Sequence, residues 1–299
     1  MNKKIIKALK DPYYACELVL NKLGPYVSDE NFIKWKYYLN FRKKLDLDNP
    51  QTYNEKLQWL KLYDHRKEYT QMVDKYEAKN IVANLIGDDY IIPTLGVYNT
   101  FNEIDFEKLP NQFVLKCTHN SGGIIICRNK AILDIDKAKK QMTNWLKKNP
   151  YWANREYPYK NVRPRIIAEK YMEDDNSNDN SLDDYKFYCC RGEVKCILVC
   201  TNRNINVKYF YFSPSWEFLR WDKKTGKTDE YKRIVPPKCL DEMLKVASRL
   251  STGMKEVRVD LYSINDKVYF GEYTFFSNSG LDLDITEECD RILGSYIEL

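Results

Sequence analysis

The chain has 299 residues, with 48 Lys and Arg against 43 Asp and Glu, and a net charge of +5. Hydrophobic residues make up 43% and charged residues 30%, which excludes a disordered chain and indicates a globular protein large enough for two or three sub-domains. Two histidines, no Cys-x-x-Cys pair and no long basic stripe argue against a His-rich metal site, a His-based triad and a nucleic-acid-binding module.

The first 50 residues differ from the rest in being basic and aromatic. They hold ten Lys or Arg against six Asp or Glu, and they include Trp35, Tyr37 and Tyr38. The pattern predicts a helical extension over residues 1–48 with a break at Gly24-Pro25. Two interpretations remain open: an extension packed on the body of the protein, and a peripheral contact with the inner face of a membrane or another anionic partner.

The cysteines and the start of the chain bear on the compartment. The cysteine count of nine is odd, and Lys7 and Lys10 interrupt the apolar stretch that a secretory signal would need. No apolar run approaches the length of a membrane span. We therefore expect a cytoplasmic protein with reduced thiols.

The first half of the chain mixes helical and strand patterns. Thr52 and Glu55 form a capping-box pattern that begins a helix over residues 52–65. An apolar face indicates a further helix over residues 70–86, which Gly87 ends. The remaining predicted elements are a strand over 90–97 interrupted by Pro93, strands over 113–117 and 124–127 joined by Ser121-Gly122-Gly123, and a helix over 134–148.

The second half is richer in strands. A strand over residues 165–172 leads into an acidic, polar loop over 173–180, for which we expect mobility. The elements that follow are strands over 184–191 and 193–201, a strand-rich segment with Tyr209, Tyr211, Trp216 and Trp221, a helix over 241–250, a hairpin over 257–274, a loop at Asn278-Ser279-Gly280 and a short tail. Because helices and strands mix without strict alternation, the pattern predicts an α+β fold.

The hairpin over residues 257–274 carries the most informative charges. Two apolar strands are joined at Asn265-Asp266, with Arg258 and Asp260 on the first and Glu272 on the second. Side chains two residues apart share a face of a strand, so Arg258 and Asp260 point the same way, and the hairpin brings Asp260 near Glu272. Two carboxylates beside an arginine suit a Mg²⁺ ion that carries nucleotide phosphates. The alternative is a surface hairpin with solvated carboxylates.

A second candidate site lies at the turn after residue 117. Lys116 ends a buried strand just before Thr118-His119-Asn120-Ser121-Gly122-Gly123, and backbone N–H groups in such a turn can approach phosphate oxygens closely. The turn is not a Walker A loop, because the Gly-Lys-Ser/Thr order and the following helix are absent. The alternative is an ordinary hairpin turn beside a solvated lysine.

These motifs together carry a resemblance to a known family. The ordered set is Asn54-Glu55-Lys56-Leu57-Gln58-Trp59, Asp74-Lys75-Tyr76, Pro93-Thr94-Leu95-Gly96-Val97, Phe113-Val114-Leu115-Lys116 with His119-Asn120-Ser121-Gly122-Gly123, Glu169-Lys170-Tyr171-Met172, Asp184-Tyr185-Lys186-Phe187-Tyr188, Arg258-Val259-Asp260-Leu261-Tyr262 and Phe270-Gly271-Glu272. Over residues 50–299 the chain resembles the ATP-grasp superfamily, and most closely its TupA-like branch.

The resemblance implies an ATP-grasp fold, in which two α+β sub-domains clamp ATP. The implied organisation is an N-terminal basic helical extension over residues 1–50, a pre-grasp α/β region over 51–110, a lid sub-domain over 111–172 and a C-terminal sub-domain with the metal site over 173–299. The implied ATP-binding residues are Lys75 (or Lys79, one turn on), Lys116, the mobile turn of Ser121, Gly122 and Gly123, and an adenine-reading hinge of Glu169, Lys170, Tyr171 and Met172.

The resemblance also implies the catalytic residues. Asp260 and Glu272 resemble the Mg²⁺ ligands, Arg258 the arginine that steadies the transferring phosphoryl group, and Lys186 a contact of phosphate or acceptor. The family pattern continues Glu-x-Asn, whereas this chain reads Glu272-Tyr273-Thr274. Completion of the metal site therefore falls to Thr274 or Asn278.

The implied function is an ATP-dependent carboxylate–amine ligase that works through an acyl phosphate, with ATP and Mg²⁺ as cofactors. By the TupA-like resemblance it would join an amino acid or peptide to a carboxylate of a cell-surface polysaccharide or its precursor. One alternative is a glycosyltransferase of capsule or surface polysaccharide synthesis, for which Asp282-Leu283-Asp284 offers an Asp-x-Asp pair. Another is a non-catalytic ATP-binding module, which Thr274 suggests.

Overall fold

The computed structural model describes residues 10–175, 182–201 and 206–299, and within them the chain forms two antiparallel sheets with helices packed on them. The predicted α+β class is confirmed. The two sheets supply most of the site described below, and the two faces of each sheet differ in the same way. One face packs on helices in a hydrophobic core, and the other carries charged side chains.

The smaller sheet has four strands in the order β1-β4-β2-β3. Phe113, Leu115 and Cys117 alternate with Val114 and Lys116 along β2, so the first three are buried under a helix while Lys116 points to the other face. The strands are β1 (Thr94–Tyr98), β2 (Phe113–Cys117), β3 (Ile124–Cys127) and β4 (Ile166–Lys170), and the covering helix is Ile135–Leu146.

The larger sheet has six strands in the order β10-β9-β5-β6-β7-β8. Its core face packs on an amphipathic helix, Leu240–Leu250, through Met243, Val246 and Ala247. The strands are β5 (Asp184–Cys190), β6 (Glu193–Thr201), β7 (Lys208–Phe212), β8 (Phe218–Leu219), β9 (Val257–Ile264) and β10 (Lys267–Thr274).

Nine α-helices lie in the described part of the chain, numbered in order: α1 (Pro12–Leu23), α2 (Asp29–Phe41), α3 (Tyr53–Tyr63), α4 (Glu68–Val73), α5 (Glu77–Ile86), α6 (Ile135–Leu146), α7 (Tyr151–Asn154), α8 (Leu240–Leu250) and α9 (Glu287–Ser295). The predicted capping box of Thr52 and Glu55 is present at the start of α3. None of the described helices is long and apolar enough to cross a membrane.

Several predicted elements differ from the structure. The predicted helix over 70–86 is two helices, α4 and α5, because Asp74 leaves the helical conformation and its carboxylate caps α5 by accepting from the N–H groups of Tyr76 and Glu77. The predicted short tail contains α9, which packs on α3. The predicted extension over 1–48 is two helices, and residues 1–9 lie outside the described residues, as does most of the predicted loop over 173–180.

Candidate active site

The hairpin of β9 and β10 brings two carboxylates face to face. Asn265 and Asp266 both have positive φ, 51° and 62°, which is the two-residue turn that fits the twist of a hairpin. The pairing runs in simple register as far as Phe270 opposite Leu261, and the next pair is Glu272 opposite Asp260. Opposite residues of an antiparallel pair share a face, so Glu272 and Asp260 point to the same side of the sheet.

Gly271 is the residue that makes this register possible. It is the extra residue of a β-bulge, and without the bulge Gly271 itself would face Asp260 while Glu272 would turn to the core face. A Cβ atom at Gly271 would lie 3.0 Å from the Asp260 carbonyl oxygen and 3.0 Å from the Tyr262 ring. The close backbone approach therefore requires glycine at this position.

Lys186 extends the two carboxylates into a row across three strands. It lies opposite Asp260 on β5, and its Nζ atom is 2.6 Å from Asp260 Oδ2 and 2.5 Å from Asp184 Oδ2. Burial disfavours the charged lysine, but the Asp260 and Asp184 carboxylates outweigh burial and raise the pKa of Lys186. Lys186 therefore stays charged at the centre of the sheet.

Arg258, two residues before Asp260 on β9, binds the same carboxylate. Its Nε and Nη2 atoms each donate to the Asp260 carboxylate at 2.7 Å, and Nη1 donates to Ser277 Oγ at 2.7 Å. Arg258 Nη2 also donates to Thr274 Oγ1 at 3.1 Å. The predicted shared face of Arg258 and Asp260 is thus confirmed, and the Thr274 hydroxyl is already an acceptor for Arg258.

Glu272 is the most open carboxylate of the row, with 35% of its side chain exposed. Burial alone would raise the pKa of Glu272, but Lys75, Lys186 and Arg258 together lower it to about 2. Lys75 is the nearest of these cations, since its Nζ atom donates to Glu272 Oε2 at 3.0 Å. Glu272 is therefore ionised throughout the physiological pH range.

The sequence predicted that Lys75 lies on a helix. In the structure it lies instead in the break between α4 and α5. Its backbone N–H donates to the Thr118 carbonyl just after β2, while its side chain reaches Glu272 on β10. The break that Asp74 creates thus ties the smaller sheet to the larger one. A continuous helix would have held the Lys75 N–H in its own ladder.

A second group of charges lies on the smaller sheet. Glu169 on β4 is 3% exposed and pairs with both Lys79 and Lys116, the latter at 2.5 Å. Burial opposes ionisation of Glu169, but Lys116 and Lys79 outweigh it and lower its pKa. Lys75 and Lys79 belong to different groups of charges, because Lys79 lies with Lys116 and Glu169 while Lys75 lies with Glu272.

The two groups of charges face one cleft. Lys75 joins the two groups, because its backbone N–H donates to the Thr118 carbonyl just after β2 and its side chain donates to Glu272 on β10. Burial opposes the charge of Lys116, but the Glu169 and Glu272 carboxylates outweigh burial and raise the pKa of Lys116. The structure therefore brings together most of the residues predicted for ATP and metal binding, namely Lys75, Lys79, Lys116, Glu169, Lys186, Arg258, Asp260, Glu272 and Thr274.

The turn between β2 and β3 begins just after Lys116 and Cys117. Ser121 and Gly122 are exposed, Gly122 has a φ of +84°, and a Cβ atom at Gly123 would lie 2.6 Å from Asn120 Oδ1. The left-handed conformation favours glycine at 122, and a side chain at 123 would displace the Asn120 amide. An exposed glycine turn of this kind presents its backbone N–H groups to a ligand.

The predicted hinge follows directly after β4. The Lys170 N–H donates to the Pro93 carbonyl at 2.9 Å, so Lys170 can offer a base edge only its carbonyl oxygen. The Tyr171 hydroxyl accepts from Arg128 Nε at 3.1 Å and so points towards β3, while Met172 is half-buried.

Asn278, the proposed substitute for Thr274, is exposed and donates to Asp282 Oδ2 at 2.7 Å.

Sequence reasoning missed two residues that hold the site together. Asp184 lies two residues before Lys186 on the same face of β5, and this spacing would have revealed it. Ser277 accepts from Arg258 and bonds the Tyr188 hydroxyl at 3.0 Å, and no local pattern marks it. Most of the aromatic residues of the strand-rich segment after residue 201 belong to the core, since Tyr211 and Trp221 are buried and Trp216 stacks on Phe212.

Among the described residues, no three His, Cys, Asp or Glu side chains converge as they would in a preformed metal site. The residues present still fit Mg²⁺, because this ion commonly takes only one or two protein carboxylates and completes its shell with water and phosphate oxygens. Asp260 and Glu272, opposite each other in the cleft, are such a pair. The Thr274 hydroxyl accepts from Arg258 and keeps a second lone pair, so it remains a candidate for a weak third ligand.

Solved structures with a similar fold are remote in sequence. A structure of N5-carboxyaminoimidazole synthetase from Staphylococcus aureus has a TM-score of 0.42 and 14% identity, over 77% of this chain and 52% of that one. D-alanine–D-alanine ligase from Bacillus anthracis complexed with ATP has a TM-score of 0.39 and 13% identity, over 69% and 54%. The S. aureus synthetase complexed with ADP has a TM-score of 0.48 and 14% identity, over 92% and 65%.

This chain thus spans about half the length of the first two of these structures. No functionally curated protein matches the chain. The sequence comparison is more decisive, because the TupA-like ATP-grasp family model matches residues 55–298, which include every charged residue of the cleft. The chain therefore belongs to the TupA-like ATP-grasp family.

Proposed function

We propose that this protein is an ATP-dependent carboxylate–amine ligase that forms a carbon–nitrogen bond. The observation that carries the proposal is the row Lys186–Asp260–Glu272, flanked by Arg258 and joined through Lys75 to the sheet that carries Lys116. Fixed cations and two ionised carboxylates on rigid strands are suited to binding and polarising a metal-bound polyphosphate. Membership of the TupA-like ATP-grasp family supports the same reaction class.

ATP would lie between the two sheets. We assign adenine to the hinge of Glu169, Lys170, Tyr171 and Met172, and the phosphates to Lys116, Lys75 and the turn of Ser121, Gly122 and Gly123. Lys79 would act at the adenine end, because it already pairs with Glu169. When bound, Mg²⁺ would neutralise phosphate charge between Asp260 and Glu272.

The chemistry needs no nucleophile from the protein. An oxygen of the substrate carboxylate attacks the γ-phosphorus of ATP, the bond to the β–γ bridging oxygen breaks, and ADP leaves with that electron pair. The amine nitrogen then attacks the acyl carbon, the bond from that carbon to the phosphate oxygen breaks, phosphate leaves, and the nitrogen loses a proton. Lys186 and Arg258 would stabilise the charge on the transferred group by fixed electrostatics.

For the substrates, we propose an amino acid or peptide as the amine and a carboxylate of a cell-surface polysaccharide or its precursor as the acceptor. The family membership supports this pairing. The glycosyltransferase alternative has less support, because its Asp-x-Asp pair is used within the fold. Asp282 accepts from Asn278 and from the Asp284 N–H, and Asp284 pairs with Lys224 at 3.0 Å.

We also propose a cytoplasmic location with peripheral contact to the inner membrane face. All nine cysteines are free, and eight of them are buried, which fits a reducing compartment. The helical pair α1 and α2 carries an apolar groove of about 520 Å³, and its side chains Val19, Leu23 and Trp35 are each about half exposed. Lysines around such a face would favour an anionic bilayer.

ADP release tests the ligase proposal. We expect release that requires Mg-ATP, an amine and a carboxylate together, and a rise in the melting temperature with Mg-ATP alone. UDP release from a UDP-sugar in the absence of ATP would favour the glycosyltransferase instead. ATP binding without turnover across amine and glycan carboxylate panels would favour the non-catalytic module.

Co-sedimentation with vesicles tests the membrane contact. We expect the protein to pellet with phosphatidylglycerol vesicles and not with phosphatidylcholine vesicles, and Leu23→Ser with Trp35→Ser to abolish this. Equal recovery of wild type and variant in the pellet would contradict the contact. ADP release from soluble substrates should not change in this variant, because neither residue lies near the charged cleft.

A further inference from the structure

A cleft of about 950 Å³ opens beside the glycine turn, outside the row of charges. Its walls are α1, the glycine turn, the segment of residues 145–159 and the turn of residues 277–280. A volume of this size is typical of sites that enclose a small organic ligand. The cleft includes none of the residues assigned above to adenine or to Mg²⁺, and it shares the turn of Ser121, Gly122 and Gly123 with the proposed phosphate site.

Trp152 is an exposed ring that the fold holds in place. Its side chain is 42% exposed, yet it packs edge-on against Tyr151 with 5.2 Å between ring centroids. The Arg155 guanidinium lies 5.0 Å from the Trp152 ring and donates to the Trp152 carbonyl at 3.0 Å. A large, rigid aromatic face at a cleft wall binds flat apolar surfaces at little entropic cost, and the C–H face of a sugar ring is such a surface.

Arg155 also explains why the ring is rigid. It is 1% exposed, donates to the Gly24 and Val27 carbonyls, and pairs with Asp29 at 2.7 Å. These contacts fasten the segment after Pro150 to the turn between α1 and α2. The helical pair, which precedes the residues matched by the family model, therefore supports one wall of the cleft.

Polar groups with fixed orientation line the wall next to Trp152. Asn154 Nδ2 donates to Ser279 Oγ at 2.7 Å, and Ser279 Oγ donates to Glu156 Oε1 at 2.6 Å. Ser279 is held with a φ of +57°, and its carbonyl accepts from the buried Lys61 at 2.6 Å. Sugar hydroxyls both donate and accept, so an amide, a hydroxyl and a carboxylate in a fixed row are suitable partners.

The cleft connects with the row of charges at two points. Ser279 is two residues from Ser277, whose Oγ atom accepts from Arg258. The glycine turn, which is also a wall of the cleft, follows β2 just after Lys116. A ligand in the cleft therefore lies next to the end of the site where phosphoryl transfer is proposed.

We propose that this cleft binds the carboxylate substrate as a pyranose ring that carries its own carboxylate, a uronic acid unit of a glycan, with Trp152 as the stacking surface. The reaction of the bound carboxylate rests on the proposed ligase function, whereas the binding of the uronic acid in the cleft does not. Trp152, Asn154 and Ser279 then determine which carboxylate is accepted, while the residues assigned to adenine and to Mg²⁺ lie outside the cleft.

Saturation-transfer NMR with methyl glycosides of glucuronic, galacturonic and mannuronic acid tests the binding directly. We expect transfer to the ring protons of at least one uronide, loss of that transfer in Trp152→Ala and its retention in Trp152→Phe, which keeps a ring. Tyr63→Ala is the matched control, since Tyr63 is 52% exposed and lies outside the cleft. No transfer to any of the three uronides would overturn the inference, as would equal transfer in wild type and Trp152→Ala.

Kinetics then separates this inference from the ligase proposal. With a uronide that is turned over, Trp152→Ala should raise its KM about tenfold or more and leave the KM for ATP unchanged. Equal turnover of ring-free carboxylates such as succinate would overturn the ring as the recognised feature. If Mg-ATP raises the melting temperature while no uronide binds, only the cleft inference fails; if Mg-ATP has no effect, the ligase proposal fails.

Discussion

Lys186 and Asp260 lie opposite each other on neighbouring strands, and the Lys186 Nζ atom is 2.6 Å from Asp260 Oδ2. Both side chains are largely buried, with 14% and 2% exposed, and Arg258 binds the same carboxylate through two further hydrogen bonds. One buried carboxylate thus organises two cations before any ligand binds. Charges fixed in this way need no reorganisation during reaction, which is the main electrostatic advantage of a preorganised site.

Glu272→Gln should abolish ADP release while the protein stays folded. The substitution removes the charge from the most open carboxylate of the row but keeps its shape, so we expect a loss of roughly a hundredfold or more in turnover. The lost pair with Lys75 should cost at most about 1 kcal/mol of stability, because the pair is partly exposed. Glu193→Gln, at an exposed glutamate of β6, is the control. Turnover of Glu272→Gln at the rate of this control would remove Glu272 from the metal site.

Lys116→Met should weaken Mg-ATP binding about tenfold or more, which corresponds to about 1.4 kcal/mol. Methionine keeps the apolar stem of the side chain, and Glu169 retains Lys79 as a partner, so the fold should survive. Calorimetric titration with Mg-ATP measures the effect. Lys108→Met is the control. The Lys108 side chain is 84% exposed, so this variant should bind ATP like the wild type. An unchanged affinity in Lys116→Met would exclude Lys116 from phosphate binding.

The hairpin illustrates what the sequence could and could not predict. Alternation along the strands and the Asn265-Asp266 turn correctly placed Arg258 with Asp260 and brought Glu272 near them. Simple register from that turn would nevertheless put Gly271 opposite Asp260, and only the bulge turns Glu272 to the charged face. Bulges depend on pairing with a distant strand and on close backbone approach, and neither is visible in local propensity.

Other misses have the same origin. The break at Asp74 arises because its carboxylate caps α5 and pairs with Arg165 at 2.9 Å, a residue 91 positions away. Local helical periodicity across residues 70–86 gave no sign of it. Ser277 likewise acquires its role from Arg258 and Tyr188, and Trp152 is held by Arg155, which binds a turn about 130 positions earlier in the chain. The loop at Asn278-Ser279-Gly280 was predicted, but these partners of Ser277 and of Arg155 were beyond sequence reasoning.

Gly271→Ala should lower both stability and activity. The new Cβ atom would meet the Asp260 carbonyl and the Tyr262 ring at 3.0 Å each, so the bulge must shift and carry Glu272 away from Asp260. We expect a loss of about 1–3 kcal/mol in the free energy of unfolding and a fall in turnover. Gly24→Ala is the control, because a Cβ atom there would meet its neighbours at an ordinary 3.5 Å. Equal urea midpoints for the two variants would contradict the requirement for glycine at the bulge.

Glu256 should make the protein less stable as the pH rises from about 4.5 to about 8. Its side chain is buried and accepts from the Tyr53 hydroxyl at 2.8 Å, and burial raises its pKa to about 8 from the ordinary 4.5. Between these pH values the folded state keeps a proton on Glu256 that the unfolded state has released. Stability therefore falls as the pH rises, until the folded state has lost this proton as well. The effect should be on the order of a few kcal/mol.

Urea unfolding at pH 5 and at pH 8 in wild type and Glu256→Gln measures this contribution. Glutamine resembles the protonated carboxyl group in shape and cannot ionise, so the variant should lose less stability between the two pH values than the wild type. Glu217→Gln, at an exposed glutamate, should follow the wild type and shows what the other titrating groups contribute. If Glu256→Gln and Glu217→Gln lose the same amount, Glu256 is already ionised in the folded protein at pH 5, with Arg258 as the nearest cation to support its charge.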